Sequence, residues 1–253
     1  MRKWSKGKLV IMQGVLLLAA GSGKRMDGEV QDKLLHPIEC TNAFRLSCQA
    51  FLNCQAIQDF VVVFRDDRQR QILEKEFSKA CETVQRELEP IFAEGGQERK
   101  DSVSRGVEAL PDHCLFVQVH DCARPLIRSS TISILAEEVT KRTNSIAVAR
   151  PVRDTIRRIE DSRFTENPQT TQTIDRSQLW HMETPQVCRK DLLEKGLKLA
   201  LEKKVDITDE ISALELIGEK SIFLDPGYAN PKITTFEDYE YLRFLIKNEK
   251  DTL

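Results

Sequence analysis

Short apolar runs alternate with longer stretches in which apolar residues return every three or four positions. Val15–Ala20, Phe60–Phe64, Ile91–Ala93, Leu115–Val119 and Ser145–Ala149 are brief, rich in β-branched or aromatic residues and bounded by polar segments, so they read as strands. Between them, residues 42–54, 67–80, 101–109 and 130–141 carry apolar side chains at helical spacing. This alternation implies right-handed crossovers and an α/β fold with a doubly wound, mostly parallel sheet of Rossmann-like type. Ligands of such sheets bind at the carboxyl ends of the strands. Three predicted strand ends carry chemistry: Gly21 onward, His120-Asp121, and the segment after Arg150.

From Pro151 to about Met182 the texture changes. Two small alternating patches, T-I-R-R-I-E and Q-T-I-D-R, flank the turn-like D-S-R-F-T-E-N-P. They predict two polar strands joined by a turn, a projecting hairpin that is marginal alone and needs a partner surface. Periodicity then predicts helices over 189–203 and 208–218, a strand near 221–224, and a last helix from about Thr235. Thr208, followed by Asp209-Glu210, and Thr235 with Asp238 offer N-terminal caps with acidic first turns. Residues 14–253 read as a single domain that includes the hairpin, preceded by a flexible extension over 1–13. There is no internal repeat or low-complexity segment.

Composition narrows the function classes. Hydrophobic content of 40% with 31% charged residues is ordinary for a soluble globular chain. A net charge of −2, without a basic patch interleaved with aromatics, argues against nucleic acid as a partner. No apolar run approaches a membrane span, and the basic M-R-K-W-S-K-G-K-L-V-I-M-Q has too short an apolar stretch for a signal peptide. Seven cysteines with no C-x-x-C pair and four scattered histidines suit reduced thiols in the cytoplasm, and argue against a metal held by His and Cys alone.

The sharpest local feature is G-V-L-L-L-A-A-G-S-G-K-R-M, residues 14–26. It is neither a Walker loop, because Arg25 follows Gly23-Lys24, nor a dinucleotide fingerprint, because Met26 holds the third glycine place. What remains is a tight small-residue turn whose backbone can approach an anion, with Lys24 and Arg25 adjacent and Lys33 beyond. On the loop alone, a triphosphate site and a solvated strand–loop–helix turn are equally good readings.

The loop does not stand alone. E-R-K-D-S-V (98–103), V-H-D-C-A-R-P (119–125), P-V-R-D-T-I (151–156), L-W-H-M-E-T-P-Q (179–186), T-D-E-I-S-A-L-E (208–215) and N-P-K-I-T-T (230–235) follow it in order. The series resembles the 2-C-methyl-D-erythritol 4-phosphate cytidylyltransferase family over roughly residues 14–247. The resemblance implies a reaction of CTP with a sugar-alcohol phosphate, giving a CDP-alcohol and pyrophosphate with Mg²⁺ as cofactor. It implies that Arg25, Lys33 and Lys232 are the catalytic cations, and that Ala20, Gly21, Ser22, Gly23 and Lys24 line the triphosphate loop. Ala19, Gly95, Gly96 and Ser102 resemble the positions enclosing the cytosine. Asp121 would orient hydroxyls and support Mg²⁺, and Arg124 would pair with a phosphate. Asp154, Thr155, Arg176 and Thr184 match positions around the sugar phosphate. The hairpin matches an arm over about 151–182 that embraces a second subunit, implying a homodimer. His120 is read as scaffolding.

The chain departs from the family pattern at several places. Asp32 stands where proline usually precedes the lysine, H-P-I-E-C-T-N replaces a glycine turn, Glu183 replaces glutamine, and Ala229 replaces an occasional acidic residue. Two rival readings are a ribitol 5-phosphate cytidylyltransferase of the same fold, disfavoured by Cys122-Ala123, and a non-catalytic nucleotide-binding protein, disfavoured by retention of all three cations.

Overall fold

The computed structural model describes residues 12–21, 31–159 and 170–250. Chain order begins with β1 (Gln13–Leu18), a tight hairpin of β2 (Pro37–Ile38) and β3 (Thr41–Asn42), α1 (Ala43–Leu52) and β4 (Ile57–Phe64). α2 (Asp67–Val84), β5 (Ile91–Glu94), α3 (Arg99–Ala109), β6 (Phe116–Asp121), α4 (Ser129–Arg142) and β7 (Ser145–Pro151) follow. The second half comprises β8 (Ile156–Ile159), β9 (Thr171–Ile174), β10 (Trp180–Arg189), α5 (Lys190–Lys203), α6 (Glu210–Glu215), β11 (Ile222–Leu224) and α7 (Glu237–Lys250).

Seven strands form the central sheet in the order β11-β7-β10-β6-β1-β4-β5. β1 runs parallel to both β4 and β6, β4 to β5, and β7 to β11, whereas β10 is antiparallel to β6 and β7. A central strand of such a sheet is covered on both faces, which is why β1 and β4 read as unbroken apolar runs. Their side chains alternate between two cores. Val15, Leu17, Phe60 and Val62 pack with Phe44, Phe77, Ile132 and Tyr239 on the α1–α2–α4–α7 face. Leu16, Val61, Val63 and Val117 pack with Val103, Leu193 and Leu214 on the α3–α5–α6 face. The doubly wound, mostly parallel architecture expected from the alternation is therefore present.

Local capping chemistry sets several helix starts. Asn42 accepts from the Arg45 amide ahead of α1, and Asp66 from the Gln69 amide ahead of α2. Glu98 and Asp101 form a reciprocal capping box on α3. α6 is capped by Asp209, reciprocally with Ser212, so the cap lies one residue later than Thr208. At α7, Asp238 Oδ2 accepts from the amides of Thr234 and Thr235, and the helix starts at Glu237.

Two other expectations need correction. The segment 180–189 is a long strand, β10, inserted between β6 and β7. The hairpin β8–β9 is present, but the chain leaves the sheet later and returns sooner than 151–182. Pro151 pairs with Trp180 and Ala149 with Met182, so those residues belong to the sheet. In place of a glycine turn, H-P-I-E-C-T-N folds as β2–β3 with Glu39 at φ 55 in the turn.

Candidate active site

The carboxyl edge of the parallel strands forms a cleft of about 420 Å³. Its walls come from the end of β1 (Ala20, Gly21), the loop leading into α3 (Gly96, Glu98), α3 itself (Arg99, Ser102) and Asp121 at the end of β6, with Lys33, Arg65 and Lys232 closing it. A larger hollow of about 620 Å³ lies between α3 and α5, on the outer face of those helices and away from the strand ends.

Asp121 is the electrostatic centre. Lys232 Nζ donates to Asp121 Oδ2 at 2.5 Å, and Arg99 Nε to Oδ1 at 3.2 Å. Arg99 also spans to Glu210, placing its two terminal nitrogens 2.7 and 3.1 Å from the two carboxylate oxygens. Glu210 is 2% exposed. Burial opposes ionisation of Asp121, but Arg99 and then Lys232 outweigh it and hold the carboxyl well below the usual carboxylate range. The result is a fixed chain of charges, Glu210–Arg99–Asp121–Lys232, ending at the cleft wall.

Three loops lock together to put both lysines there. Ile233 donates its amide to the Ala123 carbonyl at 2.8 Å. Lys33 Nζ donates to the Ile233 carbonyl at 3.2 Å, and the Tyr239 hydroxyl donates to the Lys33 carbonyl at 2.6 Å. Asp32, the unusual neighbour of Lys33, anchors its own loop. Its Oδ1 accepts from the Leu34 amide and its Oδ2 from Gln69 Nε2 at 2.6 Å, which ties the lysine loop to α2.

Gly95 and Gly96 are required by close packing. A Cβ on Gly95 would stand 2.6 Å from the Ala20 Cβ, and one on Gly96 2.2 Å from the Asp101 Cβ. Ser102 Oγ accepts from the Gly96 amide at 3.0 Å and faces the Glu98 carbonyl, fixing the loop against α3. Gly96 and Ser102 line the cleft; Gly95 and the fully buried Ala19 stand behind its lining.

The remaining expected site residues divide into groups. Ser22, Gly23, Lys24 and Arg25 lie outside the described residues. Thr184 is buried and its hydroxyl is committed internally, accepting from the Asp121 amide at 3.1 Å and meeting His120 Nδ1 at 3.1 Å. It positions the Asp121 backbone rather than presenting a free hydroxyl. Arg124 donates to the Asn230 carbonyl at 2.9 Å, while its buried Nε has no partner among the described residues. The charge of Glu183 is balanced locally by Arg150 at 2.9 Å and by the Asn230 amide at 2.9 Å. Asp154, Thr155 and Arg176 lie at the root of the hairpin, where the Arg176 guanidinium donates to the Arg153 carbonyl, and none of them lines the cleft of its own chain. Sequence reasoning misses Arg99 and Glu210, although both lie inside the motifs that carry the resemblance. The available signal is a cation one residue past a helix-capping glutamate at a strand end.

His120 is scaffolding, as expected. It packs on Phe51 with ring centroids 5.1 Å apart, and burial pushes its imidazole down to about 3. Between that value and the ordinary one near 6.5, the unfolded chain binds a proton that the folded chain refuses. This contribution to stability is therefore intact above about pH 6.5 and is lost as pH falls toward 3. Urea unfolding should show His120 costing about 2 kcal/mol between pH 7 and pH 5, and a His120→Gln variant should lack that component of the slope.

A sequence model of the IspD family, 2-C-methyl-D-erythritol 4-phosphate cytidylyltransferase, matches residues 13–248. The chain belongs to the IspD family. Among curated IspD relatives, the chloroplastic protein of Oryza sativa subsp. japonica is 31% identical over 236 residues, covering 93% of this chain and 74% of its own. The Aliivibrio fischeri (strain MJ11) protein is 38% identical over 170 residues, covering 66% of this chain and 69% of its own. Both are named 2-C-methyl-D-erythritol 4-phosphate cytidylyltransferase. A crystal structure of the Anaerococcus prevotii 4-diphosphocytidyl-2C-methyl-D-erythritol synthase superposes with a TM-score of 0.76 at 20% identity, covering 95% of this chain and all of that one, and establishes the common fold.

Proposed function

We propose that the chain transfers the cytidylyl group of CTP to 2-C-methyl-D-erythritol 4-phosphate, releasing pyrophosphate and forming 4-diphosphocytidyl-2-C-methyl-D-erythritol for isoprenoid synthesis. The observation that carries this reading is the Lys33–Lys232–Asp121–Arg99 cluster at the strand-end cleft of an IspD-family chain.

A phosphate oxygen of the sugar phosphate attacks the α-phosphorus of CTP in line. A new P–O bond forms as the bond to the bridging α–β oxygen breaks, and its electron pair leaves on pyrophosphate. The nucleophile is already anionic, so no strong base is required; positioning and charge stabilisation do the work. Lys33 and Lys232 face the growing charge, with Arg25 assigned the same role on the strength of its motif. Small walls at Ala20, Gly96 and Ser102 favour a pyrimidine over a purine by size. Arg124, with a buried unpartnered donor beside Asn230, suits the sugar phosphate.

Mg²⁺ fits the donor set. Asp121 is an ionised carboxylate at the cleft wall, and this ion is commonly held by one or two carboxylates plus substrate phosphates and water. Asp121 would hold it, and the ion would neutralise triphosphate charge.

The arm carries the second half of the proposal. Among the described residues β8 and β9 pair only with each other, and Ile159 is 49% exposed. At the arm's base the exposed Trp180 and Phe223 sit 6.2 Å apart. A two-stranded ribbon needs a cover, and a second copy in a C₂ dimer supplies it, with Asp154, Thr155 and Arg176 serving the partner's cleft. Seven free cysteines suit a reducing cytoplasmic setting. Among the described residues no helix is long and apolar enough to cross a membrane.

Pyrophosphate release with CTP and each sugar phosphate separately tests the reading. Turnover is expected with 2-C-methyl-D-erythritol 4-phosphate; turnover only with ribitol 5-phosphate would replace the substrate assignment, and none with either would replace the catalytic one.

A further inference from the structure

At the far end of the central strands, Asp59 of β4 meets His113 and Cys114, which lie just ahead of β6. His113 Nε2 is 2.7 Å from Asp59 Oδ2, and the Cys114 thiol donates to the same oxygen at 3.2 Å. The three potential ligand atoms all lie within 4.8 Å of one another. β1 separates β4 from β6 in the sheet, so these side chains meet across an intervening strand.

Two features of the backbone allow that meeting. β1 carries Gly14 at the crossing point, paired with Asp59 on one side and Val117 on the other. A Cβ there would stand 3.3 Å from Cys114 Sγ and 2.4 Å from a Leu110 methyl, so a larger residue would crowd the thiol away. The β1–β4 register also shifts between Gln13 and Gly14, an irregularity of the kind that re-aims a neighbouring side chain. The cluster is closed on the thiol side, where Cys114 is 1% exposed, and open on the imidazole side. It is remote from the cleft: β1 runs from Gly14 to Leu18 before reaching the Asp121 edge, about 13 Å of strand.

We propose that Asp59, His113 and Cys114 form a metal site separate from the active site, binding one Zn²⁺ through the Asp59 carboxylate, His113 Nε2 and Cys114 Sγ, with water as the fourth ligand. A mixed N, O and S donor set suits zinc, whereas Mg²⁺ selects oxygen alone. Tetrahedral zinc with bonds of about 2.0–2.3 Å separates its ligands by roughly 3.3–3.7 Å. The existing spacings of 2.7 and 3.2 Å open to that range with small side-chain movements, which the exposed imidazole is free to make. On binding, the thiol proton passes to solvent, and the His113–Asp59 hydrogen bond is exchanged for two metal bonds. The ion clips β4 to the start of β6 over β1, so its effect is on stability and not on the transfer reaction.

The test uses the full chain, stripped by chelation and kept in excess Mg²⁺, then titrated with Co²⁺ as a coloured zinc substitute. A thiolate-to-cobalt absorption band saturating at about one ion per chain is expected, with displacement by Zn²⁺. Zn²⁺ at a hundredfold excess over its dissociation constant should raise Tm by about 5–10 °C. Cys114→Ser should abolish the band. His113→Gln, at an exposed position, should weaken Co²⁺ binding more than about tenfold and cut the Tm shift to about half or less. Absence of the band in the unsubstituted chain, its survival in Cys114→Ser, or an equal Tm shift in His113→Gln would each overturn the proposal.

Discussion

Replacing Lys232 by alanine is expected to lower kcat about 10²–10³-fold, the loss typical of removing one preorganised charge-stabilising group. The ammonium is held 2.5 Å from Asp121 at the cleft wall, by a loop whose next residue is fixed to Ala123 and Lys33. It therefore meets the transferring phosphoryl group without reorganising, which is where such groups gain most over solvent. Stability should change little. The Lys232 side chain is 34% exposed, Asp121 keeps Arg99, and a partly exposed pair contributes about 0–1 kcal/mol. Steady-state pyrophosphate release together with a thermal melt separates the two effects. A Lys232→Ala enzyme within about threefold of wild type would remove this lysine from the chemistry.

Arg99→Ala should act in the opposite manner, first on the fold. Glu210 is 2% exposed, and the Arg99 guanidinium is its bidentate partner. Removing one member of a buried pair strands the other charge, at a cost of about 3–5 kcal/mol. For a chain of this size that corresponds to a fall in Tm of about 10 °C. Burial already pushes the Glu210 carboxyl up, and Arg99 supplies the main charge that opposes this shift. Glu210→Gln introduced into the same chain should recover more than half the lost stability. A double-mutant cycle in urea measures this directly; additivity within about 0.5 kcal/mol would show that the two residues do not act as a pair.

The parts of this molecule legible from sequence are those set by local periodicity. β1, β4 and β7 announce themselves because a strand covered on both faces needs no polar alternation. The starts of α6 and α7 are legible to within a residue or two, since Asp209 caps one position after the expected Thr208 and Asp238 accepts from the Thr234 and Thr235 amides. β10 is illegible for a physical reason. Its register against β7 breaks between Met182 and Gln186, so W-H-M-E-T-P-Q-V-C-R keeps neither a period of two nor an apolar run. The charge chain through Asp121 is illegible for another. Arg99 and Glu210 are 111 positions apart, as are Lys232 and Asp121, and no local pattern announces which distant charges the fold will join. Resemblance to a family supplies Lys33, Lys232 and Asp121, but not the arginine and glutamate that hold them in place. Nor can it show that the Thr184 hydroxyl is committed to His120 and the Asp121 amide.

The bond from Lys33 Nζ to the Ile233 carbonyl spans 200 positions of the chain. On the ribosome, Lys33 emerges long before Lys232, so the two ammonium groups cannot converge until the 230–235 loop has been made. Every chain interrupted before the 230–235 loop leaves a strand-end cleft lacking one wall and one of the two cationic partners of Asp121. Full turnover thus waits on the 230–235 loop, and a chain that stops short of it lacks Lys232, the cation assigned to the transferring phosphate.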